Sequence, residues 1–381
     1  MSGDDANAPE STHATSRARR GPRWFLRTAA IPPGIVALVL LASASTWEGR
    51  VAALATLALL AMAFSRKRIR VACAVLLAAC AGFLAWRTPD GVAPRGAIVK
   101  RVFLGGEAFA RWSPTNLVPE VDQLALATHF VWLVDPILTR SGAARLRTAI
   151  RAVYAPLDRD PAMRALGSAM DDALLDADRG RLFVCTPPHA PGERLPAVIF
   201  LHGSAGSWKG YFALWCEVAR RERFVVVQPS FGFGDWHRPG GLAAIEAARV
   251  YALTHEPVAP SQIFLAGLSN GGRGVTRVMA AGPPAYRGVI ALSAVLEPTV
   301  LDTPNVAAHW RRVPMLVVHG ARDDRIPTDY LDEGIAALRE AGLDLRVEIV
   351  SDEDHFLIFT RPHVTFDTIG RWIAAHAQRA P

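Results

Sequence analysis

A doubly wound, mostly parallel α/β sheet, preceded by three membrane-crossing helices and a helical spacer, is the architecture this chain predicts. Three observations carry that reading. Apolar residues concentrate in three runs without an ionised side chain, at 31–47, 51–64 and 71–86. From residue 181 onward, short β-rich runs alternate with segments long enough for helices. A glycine-flanked serine, Ser269, stands between one of those β-rich runs and the helical stretch that follows it.

The apolar runs come first. At 381 residues the chain exceeds an ordinary domain of roughly 100–200 residues, and the apolar excess behind its 51% hydrophobic content is concentrated between Ile31 and Trp86. Residues 1–27 hold Ser, Thr, Ala, Asp and Arg with little apolar content, which predicts a disordered tail. A helix needs about 20 apolar residues, with roughly 17 as the lower limit, to cross a hydrocarbon core. The run at 51–64 is shorter than that and must borrow flanking residues or form a hairpin that only dips into the bilayer.

Charge sets the expected orientation. Arg17, Arg19, Arg20, Arg23 and Arg27 precede the first run, and Arg66, Lys67, Arg68 and Arg70 follow the second, whereas Arg50 alone follows the first. Basic loops stay cytoplasmic, so the tail and the 65–70 loop are expected inside and everything after Trp86 outside. Arg87, Arg95, Lys100 and Arg101 weaken that asymmetry. Cleavage of the first run as a signal peptide at Ala42-Ser43-Ala44 is an alternative that leaves the later residues on the same side. The net charge of +7 is largely local to these flanks, so nucleic-acid binding is not expected. The bilayer is the expected macromolecular partner.

Residues 88–180 show apolar residues at helical spacing in 121–138 and 143–154, which reads as a helical spacer or a cap over a binding cleft. Beyond 181, β-rich runs at 182–186, 197–202, 224–228, 262–266, 289–293, 315–319 and 345–350 alternate with helical segments at 208–221, 242–253, 271–281 and 330–341. Continuous apolar strands separated by helices imply a sheet covered on both faces. Residues 181–381 are therefore expected to form the catalytic domain.

The run 262–266 leads directly into Gly267-Leu268-Ser269-Asn270-Gly271 and then a helical stretch. This is a G-x-S-x-G pattern in strand–turn–helix context, where the turn is so tight that Gly267 and Gly271 must lack side chains. A serine hydroxyl needs a base, and the base needs an orienting group. Later strands offer both: 315–319 is followed by Gly-Ala-Arg-Asp-Asp-Arg-Ile-Pro at 320–327, and 345–350 by Ser-Asp-Glu-Asp-His-Phe at 351–356. Asp323 is assigned as the orienting acid, with adjacent Asp324 as its competitor. His355 is assigned as the base in preference to His319, which ends a strand, and His363, which opens the last helix.

Oxyanion donors are expected from the backbone N–H of Asn270 and from Ser204 in the His-Gly-Ser-Ala-Gly loop at 202–206. Trp236, in Phe-Gly-Phe-Gly-Asp-Trp at 231–236, and Trp208 are candidate walls of a substrate pocket, or else buried anchors. Metal and nucleotide signatures are missing, so neither a cofactor nor a catalytic metal is expected. Cys185 and Cys216 are either two buried thiols or a disulfide in an exported domain.

Together PAVIFLHGSAG, FLAGLSNGG, VVHGARDDRIP and DEDHF resemble the α/β-hydrolase superfamily, in its esterase, dienelactone-hydrolase and prolyl-oligopeptidase-like branches. The resemblance covers residues 181–378. It implies a doubly wound sheet, a triad at Ser269, Asp323 and His355, and cleavage of a small-molecule or acyl substrate. Carboxylic ester hydrolysis is the leading expectation. Peptidase activity and a catalytically silent, membrane-tethered binding module are the alternatives.

Overall fold

The computed structural model describes residues 29–175 and 180–377; the expected N-terminal tail lies outside them. Eight strands form one sheet in the order β1-β2-β4-β3-β5-β6-β7-β8. They are β1 (Val99–Phe103), β2 (Arg181–Cys185), β3 (Leu195–Leu201), β4 (Val225–Pro229), β5 (Val258–Leu268), β6 (Gly288–Leu292), β7 (Pro314–Gly320) and β8 (Asp344–Val350). β2 runs antiparallel to both of its neighbours, and the strands from β4 to β8 are parallel.

Alternation along β3 shows why both faces are covered. Ala197, Ile199 and Leu201 enter one core, while Val198 and Phe200 enter the other. The first core is closed by α7 (Gly241–His255), α8 (Gly271–Ala281) and α9 (Thr328–Glu340). The second is closed by α6 (Lys209–Glu222), α10 (Pro362–Ala377) and α5 (Arg140–Leu157). Strand order reverses at β3, which has β4 on one side and β5 on the other, so a crevice opens at the carboxyl ends of β3 and β5. The loops that carry Ser204 and Ser269 both leave the sheet there.

The N-terminal half contributes to both the sheet and its core. The sheet does not begin at 181, because β1 pairs with β2 from Val99↔Cys185 to Phe103↔Arg181. The helices between 88 and 175 pack on the sheet. α4 (Glu120–Phe130) and α5 form a helical hairpin, and Leu146, Ile150 and Tyr154 of α5 enter the same core as Leu214 and Phe359.

The three expected spans also change. Apolar helices α1 (Ile31–Ser43), α2 (Trp47–Phe64) and α3 (Lys67–Arg87) are present. At 1.5 Å per residue, however, the 13 residues of α1 reach only about 20 Å, short of a hydrocarbon core. Helices α2 and α3, of 18 and 21 residues, are long and apolar enough to cross a membrane. The break after α1 has a local cause: the Ser45 N–H and hydroxyl donate to Asp122 at 2.7 and 2.9 Å, and the Thr46 N–H donates at 3.2 Å. Thr46 then caps α2 by accepting from the Gly49 N–H at 3.0 Å, so this helix starts four residues before Val51 and reaches the required length.

Candidate active site

Ser269 occupies the left-handed region, with φ 51°, between β5 and α8. A non-glycine residue there needs support. Its N–H donates to the Leu292 carbonyl at 3.0 Å, and its own carbonyl accepts from the Val295 N–H at 3.0 Å, strapping the turn to the end of β6. Both flanking glycines are steric requirements. A Cβ at Gly267 would stand 2.6 Å from the Gly271 carbonyl oxygen, and one at Gly271 would collide with the Leu201 carbonyl of β3.

His355 follows β8 and reaches back across the carboxyl edge of the sheet. Its Nε2 lies 3.0 Å from Ser269 Oγ, and its Nδ1 lies 2.8 Å from Asp323 Oδ2. An ionised carboxylate only accepts, so Nδ1 carries the proton and Nε2 is left to accept from the serine hydroxyl. The loop that presents the histidine is tied to the end of β7. The Ala321 N–H donates to the Val350 carbonyl at 3.0 Å, and the Arg322 N–H to the Glu353 carbonyl at 2.8 Å.

Asp323, 4% exposed, is buried beside the imidazole, whereas Asp324 is exposed. Oδ1 of Asp323 accepts the N–H groups of Arg325 and Ile326, each at 2.9 Å, which leaves Oδ2 for His355. Burial alone would raise its pKa. The hydrogen bond and charge of His355 and the Ile326 N–H outweigh burial and hold the carboxyl below its ordinary value. Of the competing bases, His319 is fully buried, with Nε2 2.9 Å from the Ile326 carbonyl, and His363 is exposed at the start of α10.

Ser204 and Asn270 are brought together: Asn270 Nδ2 donates to Ser204 Oγ at 2.7 Å. Neither residue's backbone N–H is used in a hydrogen bond among the described residues. The Ala205 N–H, by contrast, is taken by the Phe233 carbonyl at 3.0 Å.

The two tryptophans do not line an open pocket. Trp208 is buried, and Trp236, 1% exposed, stacks on Phe231 and donates Nε1–H to the His202 carbonyl at 2.8 Å. Their large apolar area is used as an anchor, as in the second of the two sequence readings. Sequence reasoning passed over the partner of that anchor. His202 Nε2 accepts the Phe231 N–H at 3.1 Å, which places the proton on Nδ1, 2.8 Å from the Gly203 carbonyl. Complete burial pushes this imidazole down to about 4, so it stays neutral and fixes the 202–206 loop. The only sequence signal was its place at the end of an apolar strand.

Cys185 of β2 and Cys216 of α6 form a disulfide. No family model matches the chain, and no curated protein sequence matches it. Among solved structures it is similar to the butyrate-bound esterase 2 of Thermogutta terrifontis, at 18% identity over 53% of this chain and 91% of that one, with a TM-score of 0.43. It is also similar to fluorophosphonate-binding serine hydrolase F of Staphylococcus aureus, at 15% identity, 52% and 92% coverage, and a TM-score of 0.41. The hyperthermophilic esterase of Pyrobaculum calidifontis is similar at 18% identity, 52% and 82% coverage, and a TM-score of 0.42. The strand order and the serine turn after β5 give this chain the arrangement of the α/β-hydrolase fold, with His355 in hydrogen-bond reach of both Ser269 and Asp323.

Proposed function

We propose that this protein is a membrane-anchored serine hydrolase that cleaves carboxylic esters through an acyl-enzyme. The observation that carries the reading is the unbroken line from Asp323 Oδ2 through His355 to Ser269 Oγ, at 2.8 and 3.0 Å. His355 Nε2 takes the hydroxyl proton as Ser269 Oγ bonds to the ester carbonyl carbon. The oxyanion that forms is received by the N–H groups of Ser204 and Asn270, each worth roughly 3–4 kcal/mol when preorganised. As the intermediate collapses, the carbon–alkoxy bond breaks and His355 returns the proton to the departing alcohol. Water then enters by the same route: its oxygen bonds to the acyl carbon as His355 takes its proton, and the acyl–Oγ bond breaks as His355 returns that proton to Ser269, releasing the acid.

Anchoring rests on α2 and α3, whose outer faces are apolar and largely exposed. Trp47 and Trp86 flank one end of this pair, and Glu48 is bridged to Arg87 there at 2.7 Å, while Arg66, Lys67, Arg68 and Arg70 cluster at the other end. Aromatic residues favour the membrane–water boundary, and basic loops favour the cytoplasm. The hydrolase domain then lies outside the cytoplasm, where the Cys185–Cys216 disulfide is chemically at home.

The test is active-site labelling of detergent-solubilised protein with a fluorophosphonate, followed by peptide mapping. Labelling confined to Ser269, lost in Ser269→Ala and His355→Ala and retained in Asp324→Asn, is the expected result. Folded protein that takes no label would leave a silent hydrolase-fold module as the better reading.

A further inference from the structure

We infer that the substrate reaches Ser269 from the bilayer: the apolar tip of the α4–α5 hairpin enters the membrane beside the candidate active site, whose substrate is an ester of an amphiphile with its acyl chain in the lipid. This rests on the hydrolase reading and adds the substrate class to it.

The tip is a surface that water disfavours. Leu133, Val134 and Ile137 are 62%, 84% and 44% exposed, and exposed Pro136 stands among them. Three large apolar side chains open to solvent within five positions form a patch, unlike the scattered exposed hydrophobics of an ordinary surface. Several polar groups between 131 and 138 are satisfied within the tip or by Arg325, as a lipid environment favours, while exposed Arg140 lies over the Trp132 ring at the base of the tip. The N–H groups of Val134 and Asp135 both donate to the Val131 carbonyl, at 3.0 and 2.8 Å. Trp132 Nε1 donates to the His129 carbonyl at 2.8 Å. The Asp135 carboxylate accepts the N–H groups of Ile137 and Leu138, each at 3.0 Å, and is neutralised by Arg325.

Register places the tip on the membrane side of the molecule. α4 runs antiparallel beside α1: Asp122 holds Ser45 and Thr46, and Leu126 packs on the cluster of Leu40, Ala44 and Ala53 that Leu41 also joins. Forward along α4 is therefore back along α1. At 1.5 Å per residue, Phe130 stands about 12 Å beyond Asp122, level with the apolar, outward-facing Ile35 and Val36. The bare surface of α1 and the tip are therefore continuous.

The same tip touches the rim of the site. Asp135 pairs with Arg325 at 2.5 Å, and Arg325 follows Asp323 by two residues and lies over the Phe356 ring, 5.2 Å from its centre. The Phe356 ring meets His355 edge-on at 5.6 Å. Exposed Phe233 is tied to the Ser204 loop, its carbonyl holding the Ala205 N–H. An apolar ring thus adjoins His355, and another is tied to the Ser204 loop, as suits an acyl chain entering from lipid.

The test uses the full chain in phosphatidylcholine vesicles, with two esters that share a leaving group: water-soluble 4-methylumbelliferyl acetate and bilayer-embedded 4-methylumbelliferyl oleate. The combined variant Leu133→Ser, Val134→Ser, Ile137→Ser should keep fluorophosphonate labelling and acetate turnover within about twofold. Its oleate turnover should fall at least about tenfold, since each apolar group removed weakens insertion. A second readout places an environment-sensitive fluorophore on Val134→Cys in a Cys73→Ala, Cys80→Ala background. Quenching by nitroxide-labelled lipid and not by aqueous iodide is expected. Unchanged oleate turnover, or ready quenching by iodide, would overturn the inference. Wild-type protein that hydrolyses neither ester and takes no label would remove the hydrolase reading instead, and the quenching measurement would still decide whether the tip enters the bilayer.

Discussion

The sheet and the N-terminal helices are held together by different means. Ser269, Asp323 and His355 stand on loops at the carboxyl ends of β5, β7 and β8, and the parallel ladder fixes the distances between residues up to 86 positions apart. Residues 29–175 contribute only β1 to that ladder. Apolar packing of α5 into the core and buried charged side chains do the rest of the attachment. Glu120 accepts from the Tyr154 hydroxyl and from the N–H groups of Ala169 at 2.8 Å and Lys209 at 2.6 Å, joining α5, the 166–169 turn and the start of α6. Asp172 pairs with both Arg101 and Arg181, linking β1 to β2. Substitutions in the first region should therefore act on rate, and those in the second on stability.

The sharpest test of that difference is Asp323 against its neighbour. Asp323→Asn preserves shape but offers His355 no carboxylate, so the imidazole no longer holds its proton on Nδ1. Ester kcat is expected to fall about 10³–10⁴-fold with little change in thermal stability. Asp324→Asn, at an exposed position, should change kcat by less than about twofold. Equal losses in the two variants would break the assignment.

Glu120→Ala should show the opposite pattern. Three donors lose their acceptor in a buried place, at a cost of about 3 kcal/mol, while ester kcat in the folded fraction stays within about threefold. Denaturant titration read against activity checks both halves. A large kcat loss without loss of stability would show that the hairpin acts on the chemistry directly.

Legibility in the sequence follows the same division. Ser269, Asp323 and His355 were readable because a nucleophile turn needs glycines at fixed offsets, and its partners must end later strands. β1 was not. Val-Lys-Arg-Val-Phe at 99–103 alternates too briefly, and its Arg101 reads as a membrane-flanking charge although it is buried against Asp172. The break between α1 and α2 was equally hidden, because it depends on Asp122, 77 residues from Ser45. Local patterns report the ladder and its turns. Pairings between distant charged side chains leave no periodic trace.

Trp236 tests a smaller expectation. Trp236→Phe keeps the stack on Phe231 but removes the Nε1–H bond to the His202 carbonyl, loosening the loop that presents Ser204. A loss of about tenfold in kcat is expected, equivalent to about 1.4 kcal/mol, with KM and acyl-length preference unchanged. A shift in acyl-length preference would restore the pocket-wall reading and weaken the anchor.

The smallest effect belongs to Asp158, at the C-terminal end of α5. Burial pushes its carboxyl from the ordinary 3.8 up to about 6, with the nearby acids Asp122 and Glu48 adding to the rise. Between pH values of about 4 and 6 the folded protein therefore holds a proton that the unfolded chain has released. Stability is greatest below that window, declines as pH rises through it, and levels off above it. Because the carboxyl is partly open to solvent, the decline attributable to it should be about 1 kcal/mol, well below what a fully buried group would give. Asp158→Asn should flatten the stability profile across that window by this amount and leave ester kcat unchanged. Denaturation midpoints for both proteins at pH 4.5 and 6.5 check this, and an identical slope in the two would place the hairpin's pH response on another group.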